Sequence, residues 1–114
     1  MFRSTHNKGF AITFANGNTV SVQWGPSNYC EARGMDYEAP MREPSWDSAT
    51  AEVAAWDSET KWHNFGGDQV RGWMTPDEVL EFLSWAASNE LDISDPFAWS
   101  DDDEEEESVM EGGA

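Results

Sequence analysis

Residues 9–24 read GFAITFANGNTVSVQW, and their alternation decides the fold. Phe10, Ile12 and Phe14 are spaced by two, as are Val20, Val22 and Trp24, with Asn16-Gly17 between the two runs. Period-two patterning around Asn-Gly predicts an antiparallel hairpin. Two registers compete. A two-residue loop at Asn16-Gly17 pairs Phe14 with Thr19 and Ile12 with Ser21, mixing apolar and polar residues on each face. A three-residue loop, Ala15-Asn16-Gly17 with Gly17 left-handed, pairs Ile12 with Val20 and Phe10 with Val22. A one-residue slip carries every side chain to the opposite face, so only the second register gathers the apolar residues on one side. The bulged hairpin is expected.

Outward from this hairpin the pattern weakens and then recovers. Residues 25–46 carry Pro26, Gly34, Pro40 and Pro44 with little periodicity and read as a long loop. Thr50 to Phe65 reads as a second hairpin: Ala51, Val53 and Ala55 alternate, Asp57-Ser58-Glu59-Thr60 turns, and Lys61 to Phe65 returns. The alanines of 49–55 would also suit a short helix. Gly66-Gly67-Asp68 breaks the chain, and Gln69 to Met74 offers a last short strand. Thr75-Pro76-Asp77-Glu78 has the makings of a capping box, with proline at the first helical position and acids at the positive end of the helix dipole. Val79, Leu80, Phe82, Leu83 and Ala86 then form a broad apolar face suited to lie across a sheet. Burial of the four large ones contributes roughly 1.5–3 kcal/mol each before entropy. The helix should end near Asn89, and Pro96 bars its continuation. The expected fold is α+β: a small antiparallel sheet of two hairpins, with room for a fifth short strand, and one C-terminal helix packed on it. It forms a single globular domain over 1–99, followed by a disordered acidic tail over 100–114.

The charge is unevenly placed. The 114 residues carry a net −17, yet residues 1–76 hold 9 acids against all 6 bases, and 14 acids with no Lys or Arg follow from Asp77. With no basic patch, direct binding to nucleic acid or an anionic membrane is disfavoured, whereas a protein partner with a basic surface is favoured. The N-terminal MFRSTHNKGF lacks a signal-peptide core and no stretch reaches membrane-span length, so a cytoplasmic protein is expected. One cysteine, Cys30, permits no intramolecular disulfide.

Catalytic and cofactor signatures are weak. His6, His63 and Cys30 fall short of a closed zinc set and lack its spacing. Asp92-Ile93-Ser94-Asp95 begins like a calcium loop, but Pro96 and Phe97 stand where that loop turns at glycine. Neither Gly66-Gly67 nor Gly25-Pro26-Ser27 continues as a phosphate-binding loop. A Cys30–His63 nucleophile pair has no support from spacing. No enzyme and no cofactor is expected. The seven tryptophans are the other anomaly. Trp24, Trp62, Trp73 and Trp85 read as core, while Trp46, Trp56 and Trp99 are candidates for exposed anchors, Trp46 and Trp99 above all. Beside Trp99 runs Asp101, Asp102, Asp103, Glu104, Glu105, Glu106 and Glu107. An extended chain spaces side chains by roughly 3.3–3.6 Å, close to the roughly 3.4 Å between phosphates of a DNA strand. The run is therefore either a solubilising end or an imitation of phosphate backbone.

The segment GFAITFANGNTVSVQWGPSNYC (9–30), with the later GWMTPDEVLEFLSWAAS (72–88), resembles a family of small proteins of phages and phage-derived elements. That resemblance implies a virus-encoded accessory protein made in an infected bacterium, and it brings no site residues with it. The expected function is to bind and modulate a host or phage protein through exposed aromatics and the acidic tail. Two alternatives are a nucleic-acid mimic that inhibits a DNA-binding enzyme, and a structural or assembly component of the virion.

Overall fold

A computed structural model describes residues 1–94. The strands β1 (Phe2–Ser4), β2 (Gly9–Thr13), β3 (Thr19–Gln23), β4 (Ala51–Trp56) and β5 (Arg71–Met74) form one antiparallel sheet in chain order. A four-residue helix α1 (Ala39–Arg42) sits within the long loop, and α2 (Pro76–Ala86) follows β5. The α+β reading of the sequence holds: a small antiparallel sheet with one C-terminal helix packed on it.

The β2–β3 hairpin adopts the bulged register. Phe10 pairs with Val22, Ile12 with Val20 and Thr13 with Thr19. The Phe14 N–H donates to the Asn18 carbonyl at 2.9 Å, closing the three-residue loop, and Gly17 turns the chain at φ +95°. Only a residue without a Cβ takes that conformation freely. Strand β4 continues the alternation, pairing Val20 with Ala55 and Val22 with Val53. Ala51, Val53 and Ala55 therefore point to the α2 side and are buried, while Glu52, Ala54 and Trp56 point to the outer face.

Two elements differ from the sequence reading. Strand β1 was not anticipated: its three residues are all exposed and have no apolar period, so only backbone pairing with β2 reveals it. The return arm of the second hairpin is shorter than expected. Trp62 bridges Trp56 and the His63 N–H donates to the Ala55 carbonyl at 2.9 Å, after which the chain leaves the sheet. The other half of the β4 edge belongs to β5, where Ala51 pairs with Met74 and Val53 with Arg71. Two residues, Gly72 and Trp73, thus oppose the single Glu52, a bulge that places Trp73 at φ +52°.

At the start of α2 the capping box is complete. The Glu78 N–H donates to Thr75 Oγ1 at 3.3 Å and the Thr75 N–H donates to Glu78 Oε1 at 3.0 Å. The helix ends at Ala86, three residues earlier than its apolar pattern suggested. No basic side chain stands in its last turn; residues 87–89 bond the carbonyls of Leu83, Ser84 and Trp85, and the tip of the hairpin bonds that of Ala86. Asn16 Nδ2 and Asn18 Nδ2 both donate to the Ala86 carbonyl at 2.9 Å, and Asn18 Nδ2 also reaches the Asn89 carbonyl at 2.8 Å. Asn18 is only 6% exposed. The long loop is likewise pinned by polar contacts: Asn28 donates to Glu52 at 2.8 Å, Glu31 N to Thr50 Oγ1 at 2.9 Å, and Asn7 to the Pro40 carbonyl at 3.1 Å.

Because Asn18 is buried and its amide bonds two carbonyls, those of Ala86 and Asn89, Asn18→Ala should destabilise the fold by about 1–3 kcal/mol through the loss of both bonds. Asn16→Ala should cost less, since Asn16 is exposed and water can replace its bonds to the Ala86 carbonyl and the Asn18 N–H. Denaturant unfolding of the two variants measures the difference.

Candidate functional site

Two surfaces concentrate exposed apolar side chains, one on each side of the sheet. On the outer face, the β4 edge carries two aromatic pairs. Trp56 and Trp62 lie 5.3 Å apart between ring centroids, and Tyr29 and Trp73 lie 5.6 Å apart. Trp62 stands opposite Trp56 and Trp73 opposite Glu52, so four strand residues, about 13 Å, separate them along the edge. Between them the floor is Ala54 and Ser21. Trp73 is 55% exposed and Trp62 41%.

The Trp73 pair is held rather than draped. The Trp73 N–H donates to the Tyr29 carbonyl at 2.8 Å. Gly72 lets that carbonyl approach: a Cβ on it would lie 2.6 Å from Tyr29 Cβ and 2.9 Å from Tyr29 O. The Arg33 guanidinium covers the Tyr29 ring at 4.2 Å, a cation–π contact.

On the other side of the sheet lies an apolar groove of about 290 Å³ between the first turns of α2, the ends of β3 and β5, and residues 48–50. Trp24, Met74, Val79, Leu80 and Leu83 line it. Leu80 stands at its lip, 63% exposed. The sequence placed Leu80 within the buried helix face. Its i−3 neighbour Asp77 and i+4 neighbour Ser84 are polar, which puts it at the margin of that face, and the sheet does not extend to cover it.

The anchors foreseen in the sequence fare differently. Trp46 is half-buried and locked to Trp24 by reciprocal bonds: Trp24 Nε1 donates to the Trp46 carbonyl at 2.9 Å, and Trp46 Nε1 to the Trp24 carbonyl at 3.1 Å. Its polar edge is thus engaged in pinning the loop, which corrects its reading as a free anchor. Trp99 and the acids Asp101 to Glu107 lie outside the described residues. Trp62, Trp73 and Trp85, read as core, are instead exposed, Trp85 at 38%. The Tyr29–Trp73 pairing spans more than forty residues and has no local signal.

Cys30 and His63 have different neighbours in the fold. Cys30 is buried with its thiol toward the Gly25 carbonyl at 3.5 Å. His63 is buried among Phe65, Phe82 and Trp85, and its Nδ1 accepts from the Asp92 N–H at 2.9 Å. Burial holds the imidazole below its ordinary pKa, against the raising pull of the Asp92 carboxylate. Among the described residues no three His, Cys, Asp or Glu side chains gather to hold a metal, and no helix is long and apolar enough to cross a membrane. Compared with protein-family models, with curated proteins and with solved structures, the chain gives no match.

Two outcomes follow from this geometry. Gly72→Ala should destabilise by about 1–3 kcal/mol through overpacking against the Tyr29 backbone, read as a lowered denaturation midpoint with altered Trp fluorescence. His63 is easier to protonate in the unfolded chain than in the fold. Its contribution should be fully present above about pH 6.5 and lost as the pH falls below that value. Thermal unfolding from pH 7.5 to 5 should show this loss, and His63→Gln should flatten it.

Proposed function

We propose that this chain is a non-catalytic accessory protein of a phage or phage-derived element, acting in the cytoplasm of the infected cell. It binds a host or phage protein that presents a basic surface and modulates that protein's activity. The observation that carries the reading is the pair of indoles on the outer face. Large aromatic side chains contribute most to stability when buried, and Trp is enriched among the residues that dominate binding energy. Trp62 and Trp73 are both more than two-fifths exposed, and each is braced by an aromatic neighbour. Bracing lowers the entropy lost on docking. The net −17 attracts a cationic partner from a distance and adds rate to the encounter.

Affinity capture from host lysate with wild type and a Trp62→Ala/Trp73→Ala double variant tests the reading. A stoichiometric partner held by wild type and held at least about tenfold more weakly by the double variant is the expected result. Trp85→Ala, on the α2 side, serves as the control and should bind normally. A partner bound equally by all three removes the outer face from the account. A full-length variant with Asp101 to Glu107 changed to Asn and Gln separates the tail: binding that survives it rules out imitation of nucleic acid by that run.

A further inference from the structure

We infer that the groove beside α2 is a second docking site, and that its occupant is a basic amphipathic helix of a protein partner. The inference rests on the proposed function only in taking the partner to be a protein. It concerns the opposite side of the sheet from the indole pairs.

Three features select this occupant. The first is apolar character. The groove is floored by Val22, Ala51 and Met74 and walled by Val79 and Leu83, and Leu80 lies almost two-thirds exposed at its lip. The second is charge. No Lys or Arg lines the groove or adjoins in sequence any residue that does. Asp47 precedes the lining residue Ser48, and Asp77 follows Pro76. Glu31 reaches the lining residue Ala49 from a third side. All three acids are exposed, and none forms an ion pair among the described residues. An apolar trough bordered by three carboxylates without ion pairs complements a helix with an apolar stripe and basic flanks.

The third feature separates a helix from an extended peptide. A docking strand needs free backbone groups at the rim to form a ladder. At residues 48–50 two of those groups are already engaged. The Ala49 N–H donates to Glu31 Oε1 at 2.9 Å, and the Thr50 carbonyl accepts from Ser48 Oγ at 2.7 Å. A continuous ladder cannot form through these two positions, which favours recognition through side chains. A helix presents these as a contiguous i, i+3, i+4, i+7 ridge, whereas a strand turns every second one away.

The probe is a synthetic helix of about 18 residues with leucines at that spacing and lysines or arginines flanking them. It is titrated into the full chain by calorimetry and by amide-resonance mapping. A scrambled peptide of identical composition controls for general attraction to a polyanion. The amphipathic peptide should bind at least tenfold more tightly than the scrambled one and shift resonances at Thr50, Met74 and Leu80. Leu80→Glu, a change at an exposed position, should abolish that advantage, and Asp77→Lys should weaken it. The Trp62→Ala/Trp73→Ala variant should bind the peptide normally, so failure of the outer-face reading leaves this test intact. Equal binding of the two peptides, or a Leu80→Glu variant that still discriminates them, overturns the inference. Two other occupants would overturn it as well. One is the chain's own residues 97–99, shown by a peptide that binds only after Phe97→Ala/Trp99→Ala. The other is a second copy, shown by a dimer that Leu80→Glu dissociates.

Discussion

The three-residue turn at Ala15-Asn16-Gly17 is the constraint on which the remainder of the molecule depends. By admitting Gly17 at positive φ it sets the β2–β3 register and sends Phe10, Ile12, Val20 and Val22 to one face. The same turn aims Asn16 and Asn18 at the carbonyl of Ala86, where α2 ends without a basic side chain in its last turn. One short loop thus chooses the core face and fixes the end of the helix that covers it. A slip of one residue would lose both at once.

From that choice follow two sides with different chemistry. The inner side is aliphatic near the sheet centre, where Val20, Val53 and Ala55 are fully enclosed. It grades into the aromatic cluster of His63, Phe65, Phe82 and Trp85 at one margin of α2 and into the open groove at the other. An eleven-residue helix is too narrow to cover a five-stranded sheet, so an apolar margin remains. On the outer side, the bulge at Gly72-Trp73 and the bridge at Trp62 bring two indoles to the same edge of β4. The outer surface is a consequence of how β4 divides its free edge between β5 and the Trp62–His63 arm.

Much of the fold was legible because its signals are local. The hairpin register could be argued from alternation alone, and the capping box from Thr75 and Glu78. The parts that escaped either lack a pattern of their own or depend on partners distant in sequence. Strand β1 has no pattern of its own and exists through its pairing with β2. Trp46 looked like a free anchor because nothing near it in sequence announces the reciprocal bonds to Trp24. Tyr29 joins Trp73 only because Gly72 allows close approach. Leu80 was assigned to the core by helical spacing, which reports the side of a helix but not how far the facing sheet extends.

The central claim is that the tryptophans divide into those that hold the fold and those that face outward for a partner. Hydrogen exchange of the indole N–H groups, followed by NMR with resonances assigned by single substitutions, reads that division directly. The indoles of Trp24 and Trp46, bonded to each other's carbonyls, should exchange slowly, and those of Trp62 and Trp73 should exchange near the rate of free indole. Protection of Trp62 and Trp73 equal to that of Trp24 and Trp46 would contradict the account.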